Sequence, residues 1–169
     1  SPPVAGAVYD GLDLVDEYWT NSQEALDLSW ENFADSLVGI ASYEYAIGTA
    51  SGDTNIVGWT NVGLDTSVSD SGLTLLHGYT YYGSVRAIDR FGHVSAAGIS
   101  DGVRVDTFDP TVGVPKEGGM VDLDYQGPSD TLAIYWVGQD PFAREISHYE
   151  YGLGTTLGGL DEMSWTDNG

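Results

Sequence analysis

Any chemistry in this chain would have to rest on carboxylates. The 169 residues include 26 Asp and Glu, 5 Lys and Arg, 3 His and no Cys. Without a thiol there is no cysteine nucleophile, no Cys-ligated zinc and no disulfide framework. His77, His93 and His148 are scattered, which disfavours a histidine metal site. His93 follows Gly92 and reads as a turn residue. Paired carboxylates can act as general acid and base. Here no pair is specified by spacing, and the acids fall on turns and on the outward phase of strands. The sequence has no phosphate loop, no dinucleotide fingerprint and no Arg-Gly-Asp tripeptide. The expectation is a chain that is not an enzyme, with no catalytic, cofactor-binding or metal-ligating residue assigned and no cofactor.

Calcium is the one ligand that the acids suggest. Asp10, Asp13, Asp16 and Glu17 crowd one segment, and Asp106 and Asp109 flank a later junction. Hard oxygen ligands near a flexible junction suit that cation. No EF-hand spacing is present, so plain solvated acid is the favoured reading. Trp19, Trp59 and Tyr82 could offer ring faces to a sugar. Cross-strand and edge packing is the favoured reading for them.

Strands must position these residues, because the dominant period is two. Leu26, Leu28 and Trp30 alternate with Asp27, Ser29 and Glu31, a half-buried strand. Tyr43, Tyr45 and Ile47 alternate with Glu44 and Ala46. Ile56 to Trp59 follows a Gly52-Asp53 turn, and Thr66 to Ser69 adds another strand. From Tyr79 to Ile88, Tyr81, Gly83, Val85 and Ala87 face one way, and Thr80, Tyr82, Ser84 and Arg86 the other. Gly92-His93 makes a turn, and Val94 to Val105 forms a last strand kinked near Gly98. Val4 to Tyr9 is the first strand, and Leu12 to Glu17 could form one helical turn. About seven short strands separated by turn signals are the signature of an antiparallel sandwich. Its predicted core is Leu28, Trp30, Tyr43, Tyr45, Ile47, Leu75, Tyr81, Val85 and Ala87.

Composition narrows the function. Hydrophobic residues are 41%, enough for a packed core, and charged residues are 18%, below the roughly 25% of an average chain. The chain is acidic through lack of base. A net charge of −21 repels phosphate backbones and anionic lipid. No nucleic-acid partner is expected. No apolar run approaches the roughly 18 residues of a membrane span, so no membrane insertion is expected. Ser1-Pro2-Pro3 does not read as a secretion leader. A processed chain or an internal piece of a longer one is expected. Absence of Cys fits the cytosol or the bacterial exterior, and a hydrated acidic surface tips the expectation outside the cell.

The chain also repeats itself. At an offset of 106, Trp30 falls on Trp136, Tyr43-Glu44-Tyr45 on Tyr149-Glu150-Tyr151, Gly48-Thr49 on Gly154-Thr155, and Trp59-Thr60 on Trp165-Thr166. Positions 28–63 and 134–169 share 11 identities in 36, where chance gives roughly two. Earlier positions align at an offset of 107: Pro3 with Pro110, Gly6 with Gly113, Gly11 with Gly118, Tyr18 with Tyr125. The acidic segment recurs poorly. Glu117 stands for Asp10, Met120 or Val121 for Asp13, and Asp124 for Glu17. Residues 1–108 form one unit and 109–169 the first four strands of a second.

Leu75-Leu76-His77-Gly78-Tyr79-Thr80-Tyr81, then Val85-Arg86-Ala87-Ile88-Asp89 and Gly92-His93-Val94-Ser95, resemble the fibronectin type III pattern. The resemblance implies an immunoglobulin-like, seven-stranded Greek-key sandwich. It implies that Trp30 is the core Trp of the second strand. It also implies that Tyr81 is the tyrosine-corner residue, with its hydroxyl tied to nearby backbone. His77 and Tyr79 depart from the usual Pro and Thr. The wording of the repeat resembles tandem modules of large bacterial surface and secreted proteins. That implies an extracellular structural or adhesive repeat, as spacer, fibre or adhesin segment. The alternative is an accessory module of a secreted polysaccharide-degrading enzyme. Expected partners are neighbouring repeats or other chains completing the C-terminal half-repeat, as a homo-oligomer or polymer.

Overall fold

A computed structural model describes residues 1–118, 131–141 and 145–169. Met120, Val121, Asp124 and Tyr125 of the repeat alignment lie outside the described residues. All regular elements among the described residues are strands. Among the described residues no helix is long and apolar enough to cross a membrane. The chain divides into two compact units, Ser1–Thr107 and Phe108–Gly169.

The first unit is a β-sandwich. One sheet has the order β1 (Ala7–Tyr9), β3 (Ala25–Glu31), β6 (Ser67–Ser71). The other runs β2 (Trp19–Thr20), β9 (Val103–Val105), β7 (Thr80–Asp89), β4 (Ile40–Gly48), β5 (Val57–Gly63), with β8 (Gly98–Ile99) also on β7. Counting β8 and β9 as one interrupted strand and setting aside the short β2, this is the fibronectin type III-like seven-stranded Greek key. The alternating residues of β3, β4 and β7 meet between the sheets. Leu28, Trp30, Tyr45, Ile47, Leu75, Tyr81, Val85 and Ala87 are buried there, and Tyr43 packs against them half-buried. The sheets approach closely: a Cβ on Gly83 of β7 would lie 2.3 Å from Leu28 Cδ2 of β3. The Tyr45 hydroxyl on β4 donates to Asp70 Oδ2 on β6 at 2.7 Å, a bond from one sheet to the other. Burial, then that bond, pushes the Tyr45 hydroxyl up to about 12. The Tyr81 hydroxyl accepts the Leu76 N–H at 2.8 Å, the backbone tie that the resemblance implied.

Some local expectations are corrected. Leu12 to Glu17 forms no helical turn. Asp13 and Leu14 have φ of 55° and 62°, left-handed backbone that cannot continue a right-handed helix. The last strand is broken into β8 and β9, with Val94 held only by a bridge to Ile88. Ala46 and Ser84 sit on the outward phase yet are fully buried. Alternation therefore does not decide burial at these two positions, which pair with each other across β4 and β7.

The second unit pairs β10 (Thr111–Val112) with β13 (Gly138–Gln139), β11 (Lys116–Glu117) with β12 (Ile134–Tyr135), and β14 (Glu150–Leu153) with β15 (Met163–Asp167). Its last hairpin reproduces the β4–β5 hairpin at an offset of 106. Glu44 faces Asn61, Tyr45 faces Thr60 and Ile47 faces Val57. Glu150 faces Asp167, Tyr151 faces Thr166 and Leu153 faces Met163, with the irregularity at the same place. The loop clamp recurs too. Asn55 Oδ1 accepts the Thr49 N–H at 3.0 Å, and Asp161 Oδ1 accepts the Thr155 N–H at 2.9 Å. The Trp30 and Tyr43 rings meet edge-on at 5.9 Å and 64°, and Trp136 and Tyr149 at 6.0 Å and 63°.

Candidate functional site

The acidic segment after β1 folds back on itself. Ser29 on β3 anchors it: the Ser29 hydroxyl donates to the Gly11 carbonyl at 2.6 Å and accepts the Leu14 N–H at 3.0 Å. With Asp13 and Leu14 in left-handed conformation, the loop turns sharply and returns Asp16 to Asp10. Asp16 Oδ1 accepts the Asp10 N–H at 3.3 Å, and the Asp10 carbonyl accepts the Glu17 N–H at 2.9 Å. A third carboxylate comes from the β8–β9 turn. Gly102 there has φ of 101°, where L side chains are strained, and a Cβ would also meet the Tyr82 ring at 2.7 Å. This backbone lets the Gly102 N–H donate to Asp10 Oδ2 at 2.8 Å. One carboxylate oxygen each of Asp10, Asp16 and Asp101 then lie within 4.8 Å of one another.

The three acids differ in burial. Asp10 is 2% exposed, Asp16 half-buried and Asp101 exposed. Asp10 Oδ1 is buried and receives no hydrogen bond. Burial pushes the Asp10 carboxyl up to about 6, against the pull of the Ser100 hydroxyl and the Gly102 amide; the Asp16 and Asp101 charges add to the rise. The sign of the linkage follows. The folded value lies above the roughly 3.9 of an unfolded Asp, so the folded chain holds the extra proton. The group's contribution to stability is full below the unfolded value and is lost as pH rises through about 6. In chelator, Asp10→Asn should therefore be more stable than the parent at pH 7.5, with the advantage shrinking toward pH 5. Denaturant midpoints of both chains across that range check it; a difference independent of pH would contradict the assignment.

The sequence candidates separate. Asp10 and Asp16 come together, joined by Asp101, which sequence reasoning missed. Asp13, Glu17, Asp106 and Asp109 join no such group among the described residues. Asp106 is buried, with His77 Nδ1 3.7 Å away. His93 is a turn residue, its Nδ1 2.7 Å from Asp89 Oδ2. Burial raises the Asp89 carboxyl, but His93 and the Phe91 and His93 amides outweigh it and hold it below the ordinary range. The sugar candidates are engaged in packing. The Arg86 guanidinium lies 4.2 Å over the Trp59 ring and pairs with Glu44 at 2.6 Å. Arg104 lies 5.5 Å from the Trp19 ring, and the Tyr82 ring edge packs beside Gly102. The reading of the sequence as free of a Gly-x-Ser-x-Gly motif is corrected: Gly98-Ile99-Ser100-Asp101-Gly102 has the letter pattern of a hydrolase nucleophile elbow. That motif needs a strand-to-helix turn; here it joins two strands, and Ser100 Oγ accepts the Gly83 N–H at 2.9 Å.

No protein-family model matches the chain. No curated protein matches it. Among solved structures it is similar to the twitchin kinase region from C. elegans (Fn31-NL-kin-CRD-Ig26), at 19% identity and a TM-score of 0.45. That similarity covers 63% of this chain and 17% of the other.

Proposed function

We propose that the chain is a non-catalytic structural stretch of a tandem array of sandwich modules, serving as spacer, fibre or adhesin segment outside a bacterial cell. The observation that carries this reading is the reuse of one hairpin. Register, irregularity, loop clamp and Trp–Tyr edge contact recur 106 residues apart in separate compact units. Modular arrays need self-contained cores joined in series, not an active site.

Charge supports the same reading. Residues 1–108 hold 15 acids and 3 bases, net −12, and residues 109–169 hold 11 acids and 2 bases, net −9. Like-charged neighbours repel, which favours an extended, soluble array over collapse. The extracellular assignment rests on that hydrated acidic surface. Trp136, Tyr149, Tyr151 and Leu153 are only half-buried. A neighbouring repeat or another chain would cover them by strand addition or face packing.

The test is a chain lengthened after Gly169 by a copy of residues 64–107, the segment that follows the equivalent Gly63. Stretching single molecules should show two cooperative ruptures of similar size, each releasing roughly 350 Å at ~3.3–3.6 Å per residue. One rupture only, with the added segment digested by protease, would refute the tandem-sandwich reading.

A further inference from the structure

We infer that Asp10, Asp16 and Asp101 form a binding site for a hard divalent cation, calcium in chemistry, which cross-links the β1–β2 loop to the β8–β9 turn. The inference stands apart from the tandem reading, since it concerns the first unit alone.

Geometry comes first. Oxygens on opposite sides of a calcium ion at 2.3–2.6 Å are about 4.6–5.2 Å apart. The three carboxylate oxygens lie within 4.8 Å of one another, so one ion can touch all three without the loops moving far. Three acids supply three formal charges and only oxygen, the ligand set of a hard cation. Magnesium demands near-octahedral geometry at shorter distances, whereas calcium tolerates irregular sets completed by water. The exposed side, where Asp101 sits, leaves room for those waters.

The second observation is independent of clustering. A solvated acidic patch would have all its oxygens in water. Asp10 is instead buried; Gly102 holds its Oδ2 and the Ser100 hydroxyl acts on the carboxyl, yet Oδ1 still accepts no hydrogen bond of good geometry. Buried polar atoms without partners are rare and costly, and a bound ion is one arrangement that satisfies them. Gly102 fixes Oδ2 and leaves Oδ1 as the oxygen that lacks a partner. The backbone has accepted left-handed turns at Asp13, Leu14 and Gly102 in the two segments that bring the acids together.

A cation here would change mechanics more than chemistry. It would join residues 10–16 to residue 101 across the end of the first strand. It would also cancel the repulsion among three carboxylates in a chain of net −21.

The experiment uses the full chain stripped with chelator and desalted. Thermal melting in sodium and calcium chloride at matched ionic strength removes simple screening. Isothermal titration with calcium over roughly 0.01–10 mM spans the weak sites of extracellular modules. The expected results are a higher midpoint in calcium and a saturable single-site titration. Asp101→Asn, at an exposed turn, should lose about tenfold or more in affinity, since ligand charge tunes calcium binding. Asp65→Asn removes an exposed acid outside the cluster and should bind as the parent does. Asp16→Asn is the second ligand variant should Asp101→Asn fold poorly. Equal melting in the two salts would overturn the site. So would a calcium effect of the same size in the ligand variants and in Asp65→Asn, which would mark diffuse binding to the acidic surface.

Discussion

Trp30→Ala is expected to lower the stability of the first unit by about 3–5 kcal/mol, the range for deleting a large buried aromatic. Trp30 is 1% exposed next to the end of β3, and its backbone pairs with Val8 of β1 on one side. Its ring meets Tyr43 edge-on, and Tyr43 in turn meets Phe33 at 5.7 Å. Truncation would open a cavity beside the Tyr43 ring that β-sheet backbones cannot collapse to fill. Trp30 Nε1 is buried without an acceptor, so the loss is one of packing and not of a hydrogen bond. Trp30→Phe should accordingly cost less than Trp30→Ala. The comparison residue is Trp165, 63% exposed on β15, whose replacement by Ala should fall within about 0.5 kcal/mol of the parent. Denaturant midpoints of the three variants decide the matter. A Trp30→Ala midpoint equal to the parent's would mean that the inward face of β3 is misassigned.

Trp30 also shows why much of the fold was legible. On β3 the apolar Leu26, Leu28 and Trp30 alternate with the polar Asp27, Ser29 and Glu31, so period two alone points the first three inward. The Tyr81 tie could be read from a local pattern because its partner, Leu76, is five residues away. Alternation does not reach every position. Ser84 lies on the outward phase of β7, between Ala46 of β4 and Ile99 of β8, and is buried all the same. The Asp13–Leu14 turn escaped notice because neither residue is Gly, the usual mark of left-handed backbone.

The acidic site was half legible for the same reason of range. Asp10 and Asp16 are six residues apart, and their association needs only one tight loop. Asp101 arrives from the other end of the unit, through a bond between residues 92 apart. The Asp101-Gly102 pair signals a turn, but no spacing rule says against which strand end that turn will close.

The hairpin that recurs in both units yields the second large effect, a pair of glycine substitutions of opposite sign. Gly48 ends β4, where it pairs with Tyr82 of β7. The loop after it doubles back, clamped by Thr49 and Asn55 and by the Ile56 N–H donating to the Ile47 carbonyl at 3.1 Å. That path lays the Asp53 backbone over Gly48, so an added Cβ would sit 2.3 Å from the Asp53 carbonyl oxygen. Backbone cannot swing aside as a side-chain tip can. Gly48→Ala must displace either the loop or the end of the central β4–β7 pair, and should cost about 1–3 kcal/mol as overpacking does. Gly58, on β5 of the same hairpin, has open space where a Cβ would go and no left-handed φ. Gly58→Ala should instead stabilise by about 0.4–1 kcal/mol, because alanine has less backbone freedom to lose on folding. Gly154 stands where Gly48 does in the second unit, and its Cβ would lie 2.2 Å from the Gly159 carbonyl oxygen. The steric rule is thus built into both copies of the hairpin. Matched denaturant melts of Gly48→Ala and Gly58→Ala separate this from a generic intolerance of alanine in strands. Equal destabilisation by both would mark that generic intolerance, and a Gly48→Ala chain as stable as the parent would show that the loop does not close over Gly48.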